Sequence, residues 1–251
     1  MSLGVILLLF AAGLWAGTQN ALAGGGSFVT LPALMLSGLT ARAANITSTI
    51  ALFPGQVTTG WAGHKSATGT ARLSFRAFFI ISLVGGAFGA FLLLLTPPSF
   101  FAKLVPWLVL FATTMFAWGS FFRKPAPEHK PLSPWLAGGA QFLIAIYGGY
   151  FGGGIGFLML AALTIAGLKV RAAGATKNVL AAVMNASAVV IFLFSKEIAW
   201  LNAAILGIGA IIGGLIGAHL LQRVNERALR IGIVVLGLAL TVGLFLRDRA
   251  S

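Results

Sequence analysis

The chain has 251 residues, of which 59% are hydrophobic and only 8% charged, with 17 Lys and Arg and no cysteine. A soluble domain carries roughly three times that charge fraction, and long apolar runs alternating with short polar gaps describe a polytopic membrane protein. The net charge of +13 is scattered singly through the gaps, which excludes a nucleic-acid binder, and the missing cysteines exclude a disulfide framework or a Cys-based metal or redox site.

The first run, Leu3 to about Leu22, leads into Ala23-Gly24-Gly25-Gly26-Ser27-Phe28 and a shorter run ending at Ser37. Ala21-Leu22-Ala23 resembles a signal-peptide cleavage site, but no basic residue precedes the apolar run. A connection through Arg42 opens a run from Ala43 to Trp61 that carries Asn45, Thr47, Ser48, Thr49, Gln56, Thr58 and Thr59. A basic loop follows, His64 to Arg76. Ala77 to Leu95 is then built around Gly85-Gly86-Ala87-Phe88-Gly89-Ala90, small residues that let helices approach closely in lipid. Pro97-Pro98 ends that helix and Val105 to Phe122 makes another.

Residues 123–133, rich in Pro and Lys, join this first transmembrane repeat (1–122) to a second (134–251). Pro134 to Tyr150 is again a run, Gly152-Gly153-Gly154-Ile155-Gly156-Phe157 a second glycine break, and Phe157 to Ala166 its short partner. Ala172 to Phe194 is the polar-loaded run, followed by Trp200 to Leu221 and Ala228 to Leu246. An offset of 129 carries Gly24, Gly25, Phe28, Gly38, Arg42 and Thr47 onto Gly153, Gly154, Phe157, Gly167, Arg171 and Thr176. Matched glycines, arginines and threonines are not accidents of apolar composition, so the chain is internally duplicated.

Backbone released from a helix inside lipid survives only where it is packed in protein or lines a wet cavity. Two such breaks at matching places are the pattern of a secondary-transporter substrate site. If each long run crosses once, Lys and Arg divide nearly evenly between the two sides. If the chain doubles back at the glycines, eleven fall on one side (65, 72, 76, 123, 124, 130, 169, 171, 223, 227, 230) and five on the other (42, 103, 196, 247, 249). The positive-inside bias favours the hairpin. The expected fold is therefore an all-α polytopic membrane protein of two inverted repeats. Each has a glycine-broken hairpin plus three transmembrane helices, giving eight long helices and two short half-helices. Both termini are then outside, with the basic loops and the 123–133 linker in the cytoplasm.

All four carboxylates, Glu128, Glu197, Glu226 and Asp248, lie in gaps or at the C-terminus. A cation-coordinating or proton-relay carboxylate within a run is missing, which points to an anionic or neutral cargo. The candidate site for a small anion comprises the glycines Gly24, Gly25, Gly26, Gly153, Gly154 and Gly156, whose amides and helix dipoles suit negative charge. It also takes Asn20, and Thr47 and Ser48 facing Thr176, Lys177 and Asn178. Lys177 is the cation clearly within a run; it either holds the anion or snorkels to the interface. Asn20 and its neighbours either serve the site or bond helices together. Arg42 and Arg171 either gate the entrances or only set topology. No His pair has metal-ligand spacing, no cofactor is expected, and no nucleophile–base or acidic pair supports an enzyme. The alternatives to a carrier are an anion channel and a non-transporting membrane scaffold.

The segment Gly24-Gly25-Gly26-Ser27-Phe28-Val29-Thr30-Leu31-Pro32-Ala33-Leu34, with Gly38, Ala43-Ala44 and Thr47-Ser48, resembles the TauE/SafE sulfite exporter family, also called the toluene sulfonate uptake permeases. The second copy and the Gly-x-x-x-Gly-Ala helices agree, so the resemblance covers nearly the whole chain. It implies transport of sulfur-containing anions such as sulfite, sulfonates or sulfoacetate through a bacterial or archaeal cytoplasmic membrane. One departure is Ala161, where the first copy has Pro32.

Overall fold

The computed structural model describes residues 1–22, 25–122, 132–220 and 226–250. Gly24 and residues 123–131 of the linker lie outside the described residues. Among those described, the chain forms ten α-helices and no strand: α1 (Leu3–Leu22), α2 (Ser27–Leu36), α3 (Ala41–Gly63), α4 (Phe75–Leu95), α5 (Pro98–Ala117), α6 (Pro134–Tyr150), α7 (Ile155–Ile165), α8 (Val170–Phe192), α9 (Trp200–Leu220) and α10 (Glu226–Ala250). Four of them, α1, α4, α5 and α8, are long and apolar enough to cross a membrane. With 23 residues α3 has the length but not the apolarity, because of its polar load.

Local chemistry sets the ends. Thr40, Ser74 and Ser133 cap α3, α4 and α6 by accepting from Ala43, Ala77 and Leu136 N–H. Proline opens α5 and α6, where its missing N–H costs nothing. The short helices α2 and α7 close identically: Leu39 N–H donates to Leu34 O and Leu168 N–H to Leu163 O. These six-to-one bonds turn on Gly38 (φ +99°) and Gly167 (φ +103°), a left-handed closure that suits glycine. The two short helices thus end in the same backbone conformation.

Packing repeats too. With α1–α5 set against α6–α10, α1 packs on α9 as α6 packs on α4, and α3 on α9 as α8 on α4. Each short helix packs on two helices of its own half and on the last helix of the other, α2 on α10 and α7 on α5. In the α4–α6 contact Gly86 and Gly149 meet backbone to backbone, leaving no room for a side chain. Buried polar groups bridge these contacts: Gln141 Nε2 donates to Ser82 Oγ at 2.8 Å, and Thr18 Oγ1 to Gly213 O at 2.9 Å.

The two pairs that the repeat maps onto themselves both run antiparallel. Gly60 and Gly63 of α3 lie against Asn178 and Ala175 of α8, while Thr47 Oγ1, at the other end of α3, accepts from Ala199 N–H just beyond α8. In α5 and α10, Trp107 stacks edgewise on Phe245 at 5.0 Å, and Thr113 faces Gly237. The connections before α3, after α4 and before α9 gather at one end of the bundle. There Asn202 Nδ2 donates to Ser37 Oγ at 3.0 Å, and Arg42 reaches both Thr96 O and Glu197.

The chain doubles back at its first break. Gly26 lies against Ala16 O, ten residues earlier, whereas an unbroken helix would separate these positions by about 15 Å. At the second break, helix ends at Tyr150 and restarts at Ile155, with Gly152 (φ +80°) and Gly154 (φ +74°) left-handed between.

Candidate functional site

The first break is closed by its own side chains. Gln19 Nε2 donates to Gly25 O at 2.9 Å, and Asn20 Oδ1 accepts from Gly26 N–H at 2.7 Å. Trp15 Nε1 in turn donates to Gln19 Oε1 at 3.0 Å. One turn into α2, the buried hydroxyls of Thr30 and Ser48 share a hydrogen bond of 2.5 Å. Asn20, Gly25, Gly26 and Ser48 therefore come together, bonded to one another or to Gln19 and Thr30. Thr30 carries a role that sequence did not suggest. The available signal was its place on the α2 face that also buries Phe28, Leu31 and Leu34.

At the second break the bonds run differently. Phe151 and Gly152 N–H both donate to Tyr147 O, at 2.9 and 3.3 Å, and Phe157 N–H donates to Gly154 O at 3.2 Å. The N–H groups of Gly153, Gly154, Ile155 and Gly156 have no acceptor among the described residues, and no side chain caps α7. They form the opening turn of a helix, the end that carries partial positive charge. Lys177 comes to this turn from α8: a Cβ on Gly156 would stand 3.6 Å from its Nζ and 3.7 Å from its Cδ. The lysine side chain therefore lies alongside the first turn of α7. Among the described residues Nζ has no hydrogen-bond or ion-pair partner.

The remaining candidates are placed elsewhere. Thr47 and Thr176 are fully buried and do matching work. Thr47 accepts from Ala199 N–H at 3.2 Å; Thr176 Oγ1 accepts from Thr68 N–H at 2.9 Å and donates to Thr68 O at 3.0 Å. Each ties its helix to a connection of the other half. Thr47 and Ser48 do not face Thr176, Lys177 and Asn178, as their sequence positions suggested. Antiparallel packing puts the two groups at opposite ends of the α3–α8 pair, roughly 20 Å apart along it. Asn178 lies half-buried, its carbonyl against Gly60.

The two arginines differ as well. Arg171 is exposed. Arg42 donates through Nε to Glu197 Oε2 at 3.1 Å and through Nη2 to Glu197 Oε1, a two-point ion pair, and through Nη1 to Thr96 O. Glu197 reads in sequence as an ordinary gap residue, since nothing local marks it as a partner for a residue 155 positions away.

Comparison with known proteins accords with this architecture. The chain is 28% identical to a probable membrane transporter protein of Haemophilus influenzae, over 96% of this chain and 95% of that one. It is 26% identical to the probable membrane transporter protein ORF9 of a Sinorhizobium species, over 96% and 92% of the two chains. It is also 26% identical to the probable membrane transporter protein YfcA of Escherichia coli K12, over 94% and 88%. No solved structure matches. The model of the sulfite exporter TauE/SafE family matches residues 9–244, and with nearly the whole chain matched, the protein belongs to that family of membrane transporters.

Proposed function

We propose that the protein is a secondary transporter, a permease, for a small anion, sulfite or an organosulfonate, held at the second chain break. The observation that carries this reading is Lys177 Nζ, without a partner among the described residues, beside the N–H groups of Gly153–Gly156, likewise without acceptors among them. A sulfur oxyanion has a cluster of acceptor oxygens and fits such an arrangement: a helix start supplies directed N–H donors and a lysine supplies full charge. In lipid an unaccompanied ammonium is expensive, and an anion brought beside it relieves that cost.

The fold of this carrier is two inverted repeats, residues 1–122 and 134–251, with 123–133 between them. Two antiparallel pairs support this. Helices exchanged by the repeat and running in opposite directions, α3 with α8 and α5 with α10, need a two-fold axis across the helices rather than along them. Such an axis lies in the membrane plane, and it brings both helix starts, α2 and α7, towards mid-depth. The short helices, of 10 and 11 residues, cover about half a bilayer. With the basic connections inside, the termini are outside a cytoplasmic membrane.

The deciding experiment is a thermal-shift and binding screen of the purified protein against sulfite, thiosulfate, sulfonates and small carboxylates. Sulfite or a sulfonate raises the unfolding temperature of wild type and not of Lys177→Met. An equal shift in both removes the lysine from the site. Saturable flux in proteoliposomes marks a carrier and single-channel currents a pore, while a scaffold gives no anion-dependent shift at all.

A further inference from the structure

We propose that Arg42 and Glu197 are the latch of one entrance, and that the latch is wired to the second break. The proposal rests on the transporter reading. The pair joins the two halves: Arg42 sits in the first turn of α3, and Glu197 in the connection between α8 and α9. Both are partly buried, where a two-point charged contact is stronger than on an open surface.

The contact continues inward. Arg42 Nη1 donates to Thr96 O at the end of α4. The hydroxyl of Tyr150 donates to Thr96 Oγ1 at 3.3 Å. The carbonyl of the same tyrosine accepts from Asn45 Nδ2 at 3.1 Å, one turn along α3 from Arg42. Tyr150 is the last helical residue before the glycines of the second break. A contiguous polar path therefore runs from the latch to the helix end beside the anion site, and a two-state contact at one end can bias the other.

The opposite end of the bundle has no counterpart among the described residues. Arg171, equivalent to Arg42, is exposed, and subtracting 129 from 197 gives Thr68, which has no charge to offer. There the α8–loop contact is the neutral Thr176–Thr68 pair. One entrance is held by an ion pair and the other by hydroxyl bonds, so the two open with different ease. Charge placement makes the alternating cycle lopsided.

The test is hydrogen–deuterium exchange of the purified full chain, which needs no knowledge of the cargo. Glu197→Gln speeds exchange about tenfold in residues 195–199 and also in residues 150–154. The charge-exchanged Arg42→Glu/Glu197→Arg protein returns residues 195–199 towards wild type but leaves 150–154 fast, because a carboxylate at position 42 has no N–H for Thr96 O. Loosening of 195–199 alone, or of neither segment, overturns the latch. Should Glu197→Gln fail to fold, Arg42→Cys/Glu197→Cys supplies the chain's sole thiol pair. Bridging it with a short bis-maleimide stops sulfite flux in proteoliposomes while sulfite still raises the unfolding temperature. Continued flux through the bridged protein overturns the latch. An unbridged protein that neither binds nor moves sulfite refutes the anion reading instead, and the exchange experiment still decides the latch.

Discussion

Ser48 and Lys177 occupy equivalent positions 129 residues apart, and they do opposite things. The Ser48 hydroxyl closes on Thr30 at 2.5 Å within a buried contact, whereas Lys177 Nζ extends to the start of α7 and finds no partner among the described residues. The positions of α2 and α7 that the offset pairs differ as well. Thr30 is matched by Met159, and Ser27 by Gly156. Neither methionine nor glycine brings a side-chain hydrogen-bond acceptor of consequence to these positions. One break is closed by its own side chains, and the other has no such closure among the described residues.

Lys177→Met should abolish the sulfite-dependent thermal shift and weaken sulfite binding at least about tenfold, the usual order for a lost charged contact. The apo protein should be as stable as wild type or more so, because an unpaired charge has been removed from an apolar setting. Calorimetry with and without sulfite separates the two effects.

Two glycines two residues apart should respond differently. Gly154 holds φ +74°, and a Cβ there would meet Ala112 Cβ at 3.1 Å. Gly154→Ala should therefore lose about 1–2 kcal/mol of stability from the left-handed backbone alone. Gly156→Ala meets Lys177 only at ordinary contact distance; it should leave the unfolding temperature unchanged and weaken sulfite binding by crowding the site. Denaturation and binding curves on the pair check this.

Asn20→Ala should act on the first break as a structural lesion. It strands the Gly26 N–H that Asn20 Oδ1 now accepts, a loss of about 1–3 kcal/mol for a buried group left unsatisfied. Residual sulfite affinity of the folded fraction should equal wild type, since the proposed anion site lies at the other break. Titration calorimetry on the purified variant measures it.

The inverted arrangement predicts opposite sides for two exposed positions. Because the chain has no cysteine, Ser66→Cys and Lys196→Cys are clean reporters, and both positions are exposed. On intact cells a membrane-impermeant maleimide should label position 196, and position 66 only after permeabilisation. Labelling of both from one side contradicts the topology.

From the sequence alone came the class of protein, the duplication and the points where helices break. Composition decides whether a chain can leave lipid, and glycine clusters decide where backbone can leave a helix; both are local properties. The family followed from the same residues, since the motif around Gly24–Ser48 lies on contiguous chain. What the tertiary structure alone decided is which polar residues are spent on the fold. Thr47, Thr176, Asn20 and Ser48 all read as site candidates, yet each hydroxyl or amide is engaged with backbone or a neighbour. Lys177 reads much the same way in sequence and has no partner among the described residues. Arg42 was visible as a charge, but its partner Glu197 lies 155 residues away, a separation no local pattern encodes. A hydrogen bond is satisfied by whatever acceptor the packing brings within about 3 Å, and for Thr176 and Gln141 that acceptor comes from the other half.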